Sequence, residues 1–418
     1  MTELVKIRTT CRLCGSVDLF RSVVLAEVPI VSPNVGTEEG DDGESITRVT
    51  APLDNYLCQE CNLIQLIHVV DPALIYRNYL YRTSVSLGLP DHFRSLADAV
   101  MERVGLQPDD LVIEFGSNDG TLLRCFGNAG MRMQGIDPAL EIAKQATENG
   151  VPTRADFFNE TVAAEISVDL GPARAVLSNN AMANIDDLGE ILRSVVKSLA
   201  PDGVFVFETQ YALDVFEKTL LDVIYHEHIS CFSVRPVDAA IGQYGLEIID
   251  AERIHTKGGS IRFWIQLKGG PRQRAKRVDE LINLEETTGL YDPAYHQAFS
   301  DRVSDIKKEL HALATAAKDN GQPVAAYGTS VGCAALIHQF ELEAFLDCIF
   351  DDTPFKERLE GPGYDLQVYK GDRVGEVNPG LIIILAWRYA KPIVANHDDY
   401  LANGGRFVVP LPVIEVIS

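Results

Sequence analysis

Four of the eight cysteines stand in two pairs, Cys11-Arg-Leu-Cys14 and Cys58-Gln-Glu-Cys61. A Cys-x-x-Cys turn aims two thiolates at one ion, and two such turns complete a tetrahedron. Four thiolates leave no open position for a substrate, so the spacing predicts a structural zinc ion held by Cys11, Cys14, Cys58 and Cys61. The pairs are separated by 43 residues, including the acidic stretch Glu38-Glu39-Gly40-Asp41-Asp42-Gly43-Glu44, which is expected to bulge out. Cys125, Cys231, Cys333 and Cys348 have no such partners and read as core residues.

A second group has the makings of a ligand cradle. Asp110-Leu-Val-Ile-Glu114-Phe115 reads as a buried strand, Gly116-Ser-Asn118-Asp-Gly120 as a tight turn, and Thr121 to Phe126 as a helix start. Met131 to Ile136 is a second strand, ending in Asp137. Glycines at 116 and 120 let backbone approach a ligand closely. An acid at the end of the second strand can accept hydrogen bonds from both ribose hydroxyls. The turn is not Gly-x-Gly-x-x-Gly, so pyrophosphate is not the implied cargo.

Two further clusters carry chemistry. In Tyr225-His226-Glu227-His228 two histidines flank a carboxylate beside a tyrosine. Histidine is the natural general base near neutral pH, and Glu227 could orient one imidazole. Either His226 or His228 fits that part. Lys257-Gly-Gly-Ser-Ile-Arg262 is a glycine turn entering a strand. Its backbone and Arg262 could contact an anionic substrate; a plain hairpin is the alternative.

These residues need elements to hold them. From Asp91, just after Pro90, to about Gly105 the pattern is helical, and from there the chain alternates strand and helix, the pattern of a parallel α/β sheet. Ala173 to Ser178 is a strand ending in Asn179-Asn180, and Val204 to Glu208 is another after Pro201-Asp-Gly203. Arg272 to Asn320 is helical in period. A further strand–turn–helix unit follows, Pro323 to Tyr327 and then Gly328-Thr-Ser-Val-Gly332, with later strands at 345–350, 381–385 and 405–410. The 418 residues suit two or three domains, expected at 1–75, 76–270 and 271–418. A net charge of −23 argues against nucleic acid polymers and anionic membranes as partners. No apolar run reaches membrane-spanning length, and Met1 to Lys6 lacks the apolar core of a signal peptide, so a cytoplasmic location is expected.

The Glu114-x-Gly116-x-Asn118-x-Gly120 turn with its second-strand acid resembles the first motif of class I methyltransferases that use S-adenosylmethionine (SAM). That resemblance implies that the loop faces the amino-acid part of SAM and that Asp137 holds the ribose. Asp156 then stands where it could meet the adenine amino group, or equally where it could cap the next helix. Over almost its whole length the chain resembles the sugar C-methyltransferases of antibiotic deoxysugar pathways. The matching residues are the four cysteines; Tyr79-Leu-Tyr81; Glu114 to Gly120; Tyr225 to His228; Gly258 to Arg262; Tyr327-Gly-Thr-Ser330; Asp352-Thr-Pro-Phe-Lys356; and Pro362-Gly363. The resemblance implies an α/β fold: a doubly wound class I methyltransferase sheet, a small N-terminal zinc domain and a C-terminal Rossmann-like domain.

It also implies the reaction, methylation of carbon next to the ketone of a nucleotide-linked 4-keto-6-deoxy sugar. His228 would remove the proton, with Glu227, Tyr225 and His226 around it. Tyr79 and Asn179 would join the cofactor site, and Tyr81, Asn184, Lys257, Arg262, Tyr327 and Lys356 the substrate site. Three positions depart from the family pattern: Asn184 and Lys257 replace histidines, and Cys333 stands where a lysine is usual. Two alternatives follow. One is a non-sugar or heteroatom substrate on the same scaffold. The other is a SAM-binding module without methyl transfer.

Overall fold

The computed structural model describes residues 5–30, 50–77, 79, 81–85, 88–353 and 366–418. Contacts gather the chain into two units. One is made of residues 1–20, 56–212 and 229–291, the other of 21–55, 213–228 and 292–418. These units do not follow chain order, because the chain passes between them five times.

The first unit is built on a seven-stranded sheet. Its strands are β1 (Leu111–Phe115), β2 (Arg132–Ile136), β3 (Thr153–Arg154), β4 (Ala173–Asn179), β5 (Leu199–Gln210), β6 (Leu246–Ile254) and β7 (Ser260–Leu267). They lie in the order β3-β2-β1-β4-β5-β7-β6. The first five run parallel, and β7 is wedged antiparallel between β5 and β6. This is the class I methyltransferase arrangement, with a helix after each parallel strand. β1 is buried at all five positions, as a central parallel strand must be.

The helix Leu89–Val104 covers one face of this sheet. It buries Leu89, Phe93, Leu96, Ala97, Val100 and Val104, which recur every three to four residues. Pro90 sits in its first turn, and Gly105, at φ 70°, closes it by donating to the Met101 carbonyl. The helix packs on Val112, Ala175, Leu177, Val204, Val206 and Trp264. Residues two apart on a strand share a face, so Glu114, Asn179, Glu208 and Arg262 project from that same face beyond its apolar core. Asp156 does not cap the helix Glu160–Leu170: the side chain of Asn159 does, accepting from the Val162 amide.

Two cysteine turns belong to the same unit and repeat one another. Gly15 N donates to Cys11 O, and Asn62 N donates to Cys58 O. Gly15 and Asn62 both take the left-handed conformation, at φ 79° and 70°. Arg12, between the first pair, donates to Gln65, the Leu66 and Ile229 carbonyls, and Asp186. It thereby ties the cysteine turns to the segment after β4.

The second unit carries a six-stranded sheet of β8 (Val324–Tyr327), β9 (Cys348–Phe350), β10 (Val368–Tyr369), β11 (Leu381–Ile384), β12 (Phe407–Val409) and β13 (Glu415–Ile417). Their order is β10-β9-β8-β11-β12-β13, parallel except for β13, a Rossmann-like half-sheet. The long helical region before it divides into Lys276–Thr287 in the first unit and Pro293–Asp319 in the second. Among the described residues no helix is long and apolar enough to cross a membrane.

Candidate active site

The carboxyl ends of β1, β2, β4 and β5 form the first site. Gly116 follows β1 at φ 68°, and a Cβ there would stand 2.6 Å from the Ala181 Cβ. Glycine is therefore required on both conformational and steric grounds. Gly120 closes the loop at φ 73°, and a Cβ there would press on Val151.

Asp137 is 7 % exposed at the end of β2. Its Oδ2 accepts from Asn118 N at 2.8 Å and its Oδ1 from Ala139 N at 2.9 Å. Those bonds fix the carboxylate and leave each oxygen a further lone pair. Burial pushes its pKa up, against the pull of the two amides.

Glu114 is 2 % exposed, and its Oε2 has no hydrogen-bond partner among the described residues. Burial first, then the charges of Asp137 and Asp119, push this carboxyl well above the usual range. Asn179 Oδ1, Ser117 Oγ and Asn184 Oδ1 are likewise buried without a partner among the described residues. A glycine cradle beside unsatisfied acceptors and a strained acid fits a polar, cationic ligand. SAM, with its sulfonium and ammonium groups, is such a ligand.

Asn118 does something its motif does not announce. Its Oδ1 accepts from Thr83 N at 2.9 Å, and its Nδ2 donates to Tyr81 O at 3.0 Å. Asp119 Oδ2 accepts from Ser84 N. The glycine loop thus grips the segment before the helix Leu89–Val104. Tyr76, Tyr79 and Tyr81 lie on that segment with ring centroids 5.7 and 6.2 Å apart, and Tyr81 is 40 % exposed. Asp156, after β3, is half-exposed beside Arg154.

At the end of β5, Glu208 is almost wholly buried. His92 Nε2 lies 2.6 Å from its Oε1, and Thr256 Oγ1 donates to the same oxygen at 3.2 Å. Arg262 approaches its Oε2 through both Nε and Nη2 at 3.0 Å. Burial would raise the Glu208 pKa, yet His92 and Arg262 outweigh it and hold the group below the usual range. Arg262 also reaches Glu252, so its charge is balanced inside the fold. Lys257 is exposed at the tip of the turn before β7, at φ 52°.

The second unit holds the tyrosine–histidine turn. His228 Nδ1 is 2.8 Å from the Val223 carbonyl, and its Nε2 is 3.0 Å from the Tyr225 hydroxyl. A carbonyl only accepts, so Nδ1 carries the proton and the Nε2 lone pair accepts from the tyrosine. His226 is buried, and its Nε2 donates to the Ala51 carbonyl at 2.9 Å. Glu227 is buried as well. Asp222, just before the turn, is clamped by the Arg388 guanidinium, and its carbonyl would lie 2.4 Å from a Cβ at Gly332.

The half-sheet of this unit repeats the acid cradle of the first. Gly328 N donates to Phe350 O as Gly116 N does to Ile136 O, both at 2.8 Å. Thr329 N and Thr353 N hold Asp351 as Asn118 N and Ala139 N hold Asp137. Here, however, Thr329 Oγ1 also donates to Asp351 Oδ2 at 2.5 Å, taking an acceptor position a ribose would use. Tyr327 donates to Asp352 at 2.7 Å. Lys356, Pro362 and Gly363 lie outside the described residues, as does the acidic stretch 38–44.

The four cysteine sulfurs lie within 4.8 Å of one another, with Cys11–Cys61 and Cys14–Cys58 both at 3.6 Å. A tetrahedron of Zn–S bonds near 2.3 Å has edges of about 3.8 Å, so the donor set fits zinc. The hydrogen bond between Cys11 and Cys61 draws the Cys11 thiol down and pushes the Cys61 thiol up, so the two sulfurs compete for one proton.

Three family models match the chain: "Putative zinc binding domain" over residues 11–76, "Methyltransferase domain" over 91–251 and "C-methyltransferase C-terminal domain" over 255–412. The C-methyltransferase NovU of Streptomyces niveus is 32 % identical over 100 % of this chain and 99 % of its own length. Two solved structures resemble part of the chain at a TM-score of 0.34 and 12 % identity. A SAM-dependent methyltransferase of Clostridium acetobutylicum covers 43 % of this chain and 92 % of its own. The magnesium protoporphyrin IX methyltransferase ChlM of Synechocystis covers 44 % and 81 %.

Proposed function

Since the chain belongs to the C-methyltransferase family and is a SAM-dependent methyltransferase with a zinc-binding domain, we propose that it methylates carbon next to the ketone of a nucleotide-linked 4-keto-6-deoxy sugar. Such a step belongs to the making of unusual deoxysugars, as in antibiotic pathways. SAM, when bound, supplies an electrophilic methyl group. Glu114, Gly116, Asn118, Gly120, Asp137, Asn179, Asp156 and Tyr79 are the residues proposed to hold it.

A carbon nucleophile must first lose a proton, and the base assignment rests on the tautomer of His228. With Nδ1–H committed to the Val223 carbonyl, the basic nitrogen is Nε2, and Tyr225 already hydrogen-bonds to it. His226 spends its Nε2 proton on the Ala51 carbonyl in a buried position, which suits a supporting role. In this reading the Tyr225 hydroxyl gives up the Nε2 lone pair as substrate enters, His228 takes the proton there, and Glu227 steadies the turn. Tyr81, Asn184, Lys257, Tyr327 and Lys356 are proposed to meet the substrate. Arg262 contributes by holding Glu208.

The test incubates the enzyme with SAM and a panel of nucleotide-linked 4-keto-6-deoxy sugars, followed by mass spectrometry. A product heavier by one methylene, missing with His228→Ala, is expected. No product across the panel from protein that still binds SAM refutes the sugar; a product that survives in His228→Ala refutes the base.

A further inference from the structure

His92 has no place in the reading above, yet its setting is that of a positioned ligand-binding group. It lies in the first turn of the helix Leu89–Val104, whose amino end faces the carboxyl ends of the strands. Its side chain is 15 % exposed. Nε2 is spent on Glu208 at 2.6 Å, and among the described residues nothing is hydrogen-bonded to Nδ1. Glu208 is in turn fixed by Arg262 and Thr256. A buried carboxylate oriented by an arginine therefore aims one imidazole with a single polar atom to offer.

The register of the sheet says what that atom is near. Asn179 pairs with Glu208, Leu177 with Glu114, and Glu208 with Arg262, all with side chains on the helix-covered face. Glu114 Oε2 and Asn179 Oδ1, both buried and unpartnered among the described residues, belong to this row. The row supplies acceptors in abundance, which suit the ammonium of the cofactor's amino-acid tail. It supplies few donors for the carboxylate on the same carbon. Arg262 is consumed by Glu208 and Glu252, whereas Arg82 and Lys257 are exposed rather than buried in this row.

We infer that His92, oriented by Glu208 and carrying a proton on each ring nitrogen when the cofactor is bound, donates from Nδ1 to the cofactor's α-carboxylate, so that the tail's two charges are read separately by Glu114 and His92. The inference rests on SAM use alone and stands whichever substrate is methylated.

The test is calorimetric binding to the full-length, zinc-loaded protein. The probes are S-adenosylhomocysteine and the same compound lacking the α-carboxylate. The wild-type protein is expected to bind the decarboxylated probe about tenfold more weakly, the worth of one charge-assisted hydrogen bond. His92→Ala is expected to bind S-adenosylhomocysteine about tenfold more weakly and the decarboxylated probe as the wild type does. Should His92→Ala fail to fold, His92→Gln, whose amide can still donate to Glu208, carries the same comparison. A folded variant that keeps the wild-type preference for the carboxylate overturns the inference. So does a variant that loses methylation while binding both probes normally, since His92 would then serve the substrate.

Discussion

Replacing Asn118 by alanine tests whether the glycine loop truly grips the tyrosine segment. The change deletes two hydrogen bonds, from Thr83 N and to Tyr81 O, at 2.9 and 3.0 Å. Each is worth about 1 kcal/mol net. Position 118 also sits at φ 49°, which asparagine tolerates and alanine does not, at about 1 kcal/mol more. The fold should lose about 3 kcal/mol, but the diagnostic effect is local. About 2 kcal/mol of holding energy is removed from residues 81–83, so the Thr83 amide should exchange with solvent about 30-fold faster. Hydrogen-exchange mass spectrometry on peptides spanning 79–88 reads this directly, with peptides from β4 and β5 as internal controls. SAM affinity should fall in parallel, because the loop and the segment are ordered together. Unchanged Thr83 exchange in a folded variant would refute the reasoning, since the segment would then be held by something other than Asn118.

Other expectations follow from the same geometry. Arg262→Ala leaves Glu208 buried with only His92 and Thr256 as partners, and should cost about 3–5 kcal/mol in urea unfolding; a loss below about 1 kcal/mol would show that Arg262 is not needed there. Purified protein should carry about one zinc per chain by elemental analysis, and Cys58→Ser should lose it; full occupancy in that variant would rule out the four-sulfur site. The raised pKa of Glu114 has a signed consequence. The native apoprotein keeps this proton where the unfolded chain has released it, so stability falls as pH rises above the ordinary glutamate value of about 4.3. A cationic cofactor favours the ionised form, so the rise in melting temperature given by SAM should grow between about pH 5 and 8; a rise that shrinks over this range counts against Glu114 meeting the cofactor's positive charge.

What the sequence disclosed and what it hid divide along physical lines. The cysteine pairs, the Glu114 to Gly120 turn and Asp137 are legible because their geometry is local, set by spacing within one turn or one βα unit. The helix from residue 89 to 104 is legible for the same reason, between Pro90 and Gly105. His92 was passed over because its partner Glu208 lies 116 residues away, and no local pattern announces a lone histidine on a helix. Arg262 offered itself as a substrate contact because nothing in Gly258 to Arg262 shows that Glu208 and Glu252 neutralise it. Proposing His228 rather than His226 as the base took their hydrogen-bond partners, the carbonyls of Val223 and Ala51, which lie outside any local pattern. Asp156 and Asn159 are both reasonable caps by residue type; only the backbone path decides for Asn159.

The five passages of the chain between its two units bear on how the protein is made. Synthesis delivers the chain from its amino end at roughly 10 residues per second. The first unit is complete only when Tyr291 has emerged, and the second only at Ser418. Residues near Cys11 therefore wait about half a minute for the last stretch of their own unit. The cysteine turns need only the chain up to Cys61, so metal capture can come early and give the nascent chain a closed loop long before the seven-stranded or the six-stranded sheet is whole. Cells short of zinc should accordingly yield less of this enzyme in folded form, through a shortfall set at the ribosome rather than at the site of methyl transfer.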